Sequence, residues 1–335
     1  MTHAIYDLET LKNLFIAVFE DYKNDEKQHF IIHDLQNDFQ KFKIFIKSAV
    51  KHKFKFIGFN NLAFDGQVLQ YIVENMDKWD NFNGCKIANL IYLQAQHTIN
   101  KSNNGEHAQY PEWKLSIPQI DLFKMNHWDN KNKMCSLKWC QFSMDWHNVQ
   151  EMPIHHNIII NTMEEIEIVL NYCYNDVSST KNIYNLCKSQ LQLRQTISKK
   201  YNLNCLSYSN TKIGSELLLQ LYCNKTGKNP DEVKKLRTFR NSISFKDVIF
   251  QYIEFQSNDF NNFLEKLKTI TVTDLKGSFD YTLNYKGFNL IYGTGGIHQC
   301  APSKVYRADS EFCIIDADVA LKVVQLKLHK LTGTS

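Results

Sequence analysis

Glycine and proline are scarce, with 12 Gly and 5 Pro among 335 residues. A chain so poor in turn formers is neither collagen-like nor low-complexity, and no Pro-rich linker divides it. Cys-x-x-Cys pairs are lacking too. The nine cysteines (Cys85, Cys135, Cys140, Cys173, Cys187, Cys205, Cys223, Cys300 and Cys313) are odd in number and scattered. That argues against a zinc ribbon and a disulfide framework, and they read as reduced, mostly buried thiols. No run approaches the roughly 18 apolar residues a membrane helix needs. Thr2-His3 lead straight into a strand-like segment without a basic-then-apolar leader, so a soluble, intracellular protein without a membrane partner is expected. Charge of one sign is also missing: 39 Lys+Arg against 35 Asp+Glu leave a formal net charge of +4. This suits one face meeting a polyanion and falls short of a coat-like nucleic-acid binder.

What is present is a globular composition, 43% hydrophobic and 22% charged, enough for one large or two modest cores. Ala4 to Glu9 alternates like a strand, Leu14 to Phe19 supplies a second apolar run and Phe30-Ile31-Ile32 a third, which predicts an antiparallel meander. Phe39, Phe42, Ile46 and Val50 recur at helical spacing, and Phe54 to Phe59 reads as a strand ending in the turn Asn60-Asn61. The order is βββαβ. Helices are expected from Asp65 to about Met76, Ser136 to about Ser143, Thr162 to Leu170 and Asn175 to about Leu193, with Asn100 to Gln109 a surface loop. Beyond about Tyr201 the pattern changes. A helix near Ile213 to Tyr222 and another near Phe260 to Leu267 precede a strand-rich ribbon from Tyr281 to Tyr292 and a buried strand from Phe312 to Asp318. A domain boundary is placed near residue 200.

Three acidic segments carry candidate chemistry. Asp7 and Glu9, two apart on one strand, leave the same sheet face, where their charges repel unless a cation sits between them. A solvated edge strand is the alternative. Gly58-Phe59-Asn60-Asn61-Leu62-Ala63-Phe64-Asp65-Gly66 runs from strand through turn to helix and projects Asp65 from a sheet end, although Asp65 could equally be a helix N-cap. In Tyr172-Cys173-Tyr174-Asn175-Asp176-Val177, Tyr172 and Asp176 share one helical face.

In order and spacing these segments resemble the Exo I, Exo II and Exo III motifs of DEDD-type 3′→5′ exonucleases, in the variant with tyrosine. Asn61-Leu62-x-Phe64-Asp65-Gly66 and Tyr172-x-x-Asn175-Asp176 look most like the proofreading domain of family B DNA polymerases of phages, including protein-primed ones. Ser136-Leu137-Lys138-Trp139-Cys140 is similar to the Ser/Thr-Leu-x-x-hydrophobic motif with which those domains hold single-stranded DNA. The resemblance implies an α/β, RNase H-like exonuclease domain with a mixed sheet over 1–200. In it Asp7, Glu9, Asp65 and Asp176 bind two Mg²⁺ or Mn²⁺ ions about 4 Å apart, Asp7 bridging them. Glu9 and Asp176 then complete one metal site, Asp65 serves the other, and Tyr172 orients the attacking water. Asn61 and Phe64 contact the terminal nucleotides, Phe64 stacking on a base, although a core aromatic is an equal reading of Phe64. Ser136 and Leu137 hold the strand. The relatives carry a catalytic lysine between the Ser-Leu motif and the last acid, yet no Lys occurs from Trp139 through Thr180. His147, His155 and His156 receive no role.

Ile291-Tyr292-Gly293-Thr294-Gly295-Gly296 resembles the Tyr-x-Gly-Gly linker that contacts template DNA in this family, through Tyr292, Gly295 and Gly296. A plain β-turn is the alternative. Cys313 to Ala320 looks like the start of polymerase motif A, with Asp318 as its metal-binding acid. The resemblance ends there, at Leu321-Lys322-Val323-Val324. This implies a linker and partial α+β palm segment over 201–320 and a divergent tail over 321–335. The expected function is the proofreading exonuclease portion of a phage-type DNA-directed DNA polymerase, acting on single-stranded and primer-template DNA in the host cytoplasm and unable to extend a primer. The alternative is a DNA-binding subunit, inactive alone and completed by a second polypeptide that carries the rest of the polymerase.

Overall fold

The computed structural model describes residues 3–130, 134–236, 240–273, 280–285, 288–293, 296–300 and 307. The protein divides into two compact units, Met1–Lys235 and Leu236–Ser335.

The first unit is α/β. Strands β1 (His3–Thr10), β2 (Phe15–Asp21) and β3 (Lys27–Ile32) form the expected antiparallel meander. Strand β4 (Lys55–Gly58) runs parallel to β1, and β5 (Gln119–Asp121) parallel to β4. The mixed sheet has the order β3-β2-β1-β4-β5. Its interior strand β2 is buried from Phe15 through Glu20, as a near-continuous apolar run demands when both sheet faces are covered.

On one face, Ala4, Tyr6, Leu8, Phe15 and Phe19 pack against helices α1 (Phe39–Lys51), α2 (Asp65–Asn75) and α3 (Gly84–Asn103). On the other, Ile5, Ile16, Val18 and Ile57 meet α4 (Leu122–Met125), α5 (Leu137–Ser143), α6 (Met163–Leu186) and α7 (Lys188–Tyr201). Helix α3 reaches Asn103, shortening the loop expected from Asn100. It starts at the N-cap Asn83, whose side chain accepts from the Lys86 amide, and buries Ile87, Ala88, Ile91 and Ala95 on one stripe. Helix α6 is continuous over 24 residues, where two helices were expected, and a Thr162/Glu165 capping box starts it.

The division between units falls later than residue 200. Helices α8 (Asn210–Thr226) and α9 (Pro230–Lys235) belong to the first unit. Arg194, 1% exposed, donates to the carbonyls of Gln190, Met125 and Tyr208 and to Asn210 Oδ1. The Asp121 amide donates to Ser207 Oγ at 3.0 Å. These bonds fasten the chain beyond Tyr201 to α7 and the sheet.

In the second unit, β6 (Ile243–Ser244) pairs with β7 (Thr271–Val272), alongside α10 (Phe245–Val248) and α11 (Asn258–Lys268). Strands β8 (Asp280–Tyr285), β9 (Phe288–Gly293) and β10 (Gly296–Cys300) form an antiparallel ribbon. Phe263, Leu290 and Tyr292 make its small core. Gly295, Asp318, the strand expected over Phe312 to Asp318 and the tail 321–335 lie outside the described residues. No helix among the described residues is long and apolar enough to cross a membrane.

Candidate active site

Alternation along β1 puts Ile5, Asp7 and Glu9 on the face that meets α6, while Tyr6 and Leu8 enter the opposite core. Asp7 and Glu9 are half-buried there. One carboxylate oxygen from each and the Cys173 sulfur lie within 4.8 Å of one another. The buried Cys173 thiol points at the Asp7 carbonyl oxygen (3.6 Å) and its Oδ2 (3.8 Å).

Asp65 is delivered by the loop between β4 and α2. Asn60 adopts the left-handed conformation at φ 61°, which asparagine tolerates better than most side chains. The loop amides of Asn60 and Leu62 donate to the two oxygens of Asp121, at 3.1 and 3.0 Å. Asp121 also accepts from the amides of Phe123 and Lys124, at 2.9 and 3.1 Å. Two glycines close on Asn61: a Cβ on Gly58 would lie 2.9 Å from Asn61 Cβ, and one on Gly66 2.8 Å from the Asn61 carbonyl oxygen. Asn61 itself is fully buried. Its Nδ2 donates at 2.8 Å to Gln119 Oε1, which also accepts from Tyr6 Oη at 2.9 Å. In this conformation the Asn61 side chain is buried, its Nδ2 held by Gln119 of β5 and its Oδ1 buried without a hydrogen-bond partner. Phe64 is half-buried against the first core.

Asp176 and Tyr172 stand one turn apart on α6. Gln141 on α5 donates to Asp176 Oδ1 at 2.9 Å and to Ser179 Oγ at 2.8 Å. Asn175 Nδ2 reaches the same Oδ1 at 3.5 Å, and Trp146 Nε1 donates to Asn175 Oδ1 at 2.9 Å.

The three segments share one electrostatic environment. Burial pushes the Asp7 carboxyl far above its ordinary range, and the charges of Glu9, Asp65 and Asp176 push it further. Glu9 is raised by burial and by Asp176 and Asp65, against a counter-pull from Lys138. Burial, aided by the charge of Asp121, carries Asp65 up to about 7. Asp176 is raised by burial and held down by Gln141, Tyr172, Lys138 and Asn175. Buried like charges of this kind are stable only when protonated or when a cation neutralises them. Carboxylate oxygens in this number suit hard divalent cations.

Among the described residues, Lys138 brings positive charge to Glu9 and Asp176, one position before the lysine-free stretch from Trp139 through Thr180. It pairs with Glu151, and its Nζ is 5.9 Å from the centroid of the Tyr172 ring. His155 and His156 stack on each other, and His147 lies against Trp146. Ser136 is the N-cap of α5, accepting from the Trp139 amide at 3.1 Å, and Leu137 packs against the second core. Tyr292 is buried in the core of the second unit, its ring 4.2 Å from that of Phe263, and Gly296 pairs with Gly293. Gln141, Asp121, Cys173 and Lys138 were missed as site residues. Only Cys173 carried a usable signal, lying between Tyr172 and Asp176 on the helix face turned to β1.

Comparison of the chain with protein-family models, with curated proteins and with solved structures returns no match.

Proposed function

We propose that the chain is a metal-dependent 3′→5′ DNA exonuclease of RNase H-like fold, the proofreading portion of a phage-type family B DNA polymerase. The observation that carries this reading is that Asp7 and Glu9 on β1 bring carboxylate oxygens close together and also feel the charges of Asp65 from the start of α2 and Asp176 from α6. The β3-β2-β1-β4-β5 order, three strands antiparallel and two parallel, supports the RNase H-like assignment. The four acids are the residues that would hold two Mg²⁺ or Mn²⁺ ions. Bound there, such ions supply Lewis-acid charge for in-line displacement at phosphorus.

The remaining work falls to the protein. Burial and the charge of Asp176 hold the Tyr172 phenol well above its ordinary range, so it stays protonated and can orient a water beside Asp176. Lys138 brings positive charge toward a phosphate in the cluster. Phe64 offers the exposed part of its ring to a terminal base, and the exposed Ser136 meets the strand.

The test is digestion of single-stranded DNA labelled at either end, with Mg²⁺, with Mn²⁺ and with chelator. Stepwise shortening from the 3′ end only with metal is expected. Digestion from the 5′ end, or none under any condition, overturns the reading.

A further inference from the structure

We infer that Gln141 is a positioning residue that sets the Asp176 carboxylate for cation binding. Through it, α5 joins the strand-contacting end of the site to its metal-binding end. The inference rests on the exonuclease reading above and adds to it a residue that none of the resembling motifs assigns.

Gln141 is fully buried, and a buried amide is tolerated only where its polar atoms are used. Both donors of Nε2 are used, on Asp176 Oδ1 and Ser179 Oγ. Its Oε1 is buried and has no partner. An apolar side chain of the same length would fill the space without orphaning a carbonyl. The position is thus occupied for what Nε2 does. A neutral amide fixes a carboxylate rotamer without bringing a charge that competes with a cation, the usual task of a group that orients a metal ligand from behind. Lysine or arginine here would neutralise Asp176 instead.

The location of Gln141 extends the consequence. Helix α5 spans only Leu137–Ser143, so Ser136 and Leu137 at its start and Gln141 near its end move as one short rod. A strand that settles α5 at Ser136 and Leu137 therefore also settles the Asp176 half of the cation site. By linkage, each ligand tightens the other to the same degree.

The experiment is calorimetric titration of the whole chain with Mn²⁺, with and without a short non-cleavable phosphorothioate oligonucleotide, alongside thermal melting. The proteins are wild type, Gln141→Met and, in case methionine fits badly, Gln141→Ala. Wild type should bind two ions, more tightly when the oligonucleotide is present. The variants should lose about 10- to 100-fold in affinity at one site, keep the other, melt within a few degrees of wild type, and lose the enhancement by oligonucleotide. Wild-type Mn²⁺ affinities in a folded variant would overturn the inference and leave the exonuclease reading standing. Failure of both variants to fold would assign Gln141 to the core and also overturn it. Absence of Mn²⁺ binding in wild type would remove both readings together.

Discussion

Asp65 and Asp176 both raise the proton affinity of the β1 carboxylates and are held in place by different means. The Asp65 side is built of backbone. Four peptide amides converge on the buried Asp121, and Gly58 and Gly66 let the chain close on Asn61. The Asp176 side is built of side chains: Gln141 and Asn175 bond the carboxylate, and Lys138 supplies charge. Backbone bonds tie a residue's position to the fold itself, whereas side-chain bonds can be broken or re-formed without unfolding anything. One flank of the site is thus fixed through peptide amides and the other through side chains, among them Gln141 on the helix expected to meet DNA.

The largest expected effect ignores the distinction. Asp176→Ala, and Asp7→Ala with Glu9→Ala, should each lower nuclease rates roughly a thousand-fold or more, because metal charge supplies several kcal/mol and about 1.4 kcal/mol is tenfold. Folding should be retained, as circular dichroism would show. Normal rates in either variant would remove the acid from the site.

Asp121→Ala sharpens the comparison. It strips the acceptor from four amides, and orphaned buried donors cost about 1–3 kcal/mol each, so a loss of about 4 kcal/mol or more in urea unfolding is expected. Removing Gln141 should leave unfolding almost unchanged. Equal losses at the two positions would erase the difference between the flanks.

A third expectation concerns pH. Asp65 titrates near 3.8 when unfolded and at about 7 in the metal-free fold, so the folded state binds more protons between those values. Stability is then full below about pH 4 and declines as pH rises toward 7, at about 1.4 kcal/mol per pH unit for one proton. Asp7, Glu9 and Asp176 act in the same direction. Melting in chelator should therefore fall from pH 5 to 7.5, and added Mg²⁺ should flatten the profile. A metal-free melting point that rises over this range would contradict the electrostatics.

The smallest expected effect is that of Phe64→Ala, which should weaken single-strand binding by about 1–3 kcal/mol if one base stacks on the ring. Fluorescence anisotropy with a labelled oligonucleotide measures it. Unchanged binding, together with lowered stability, would make Phe64 a core residue alone.

What could be read from the amino-acid order was whatever is local. The β1 alternation, the strand-turn-helix around Asn61 and the one-turn spacing of Tyr172 and Asp176 each lie within a few residues, where periodicity is informative. Gln141 meets Asp176 35 residues away, and Asp121 meets Leu62 59 residues away, and no local period encodes such partners. Lys138 escaped notice for a similar reason, since its proximity to Tyr172 depends on how α5 lies against α6. Helix α6 was expected in two pieces, yet Ile166, Val169, Cys173 and Val177 carry one buried stripe straight through the supposed gap. The residue-200 boundary failed because Arg194 is a buried cation satisfied by carbonyls, which composition cannot show.

The most direct test of the central claim, that three separated segments build one two-cation site, is anomalous diffraction from crystals of the protein soaked in Mn²⁺. The account predicts two manganese peaks among Asp7, Glu9, Asp65 and Asp176, with Asp7 touching both. Manganese bound elsewhere with none in the cluster, or a single ion held without Asp176, would contradict it.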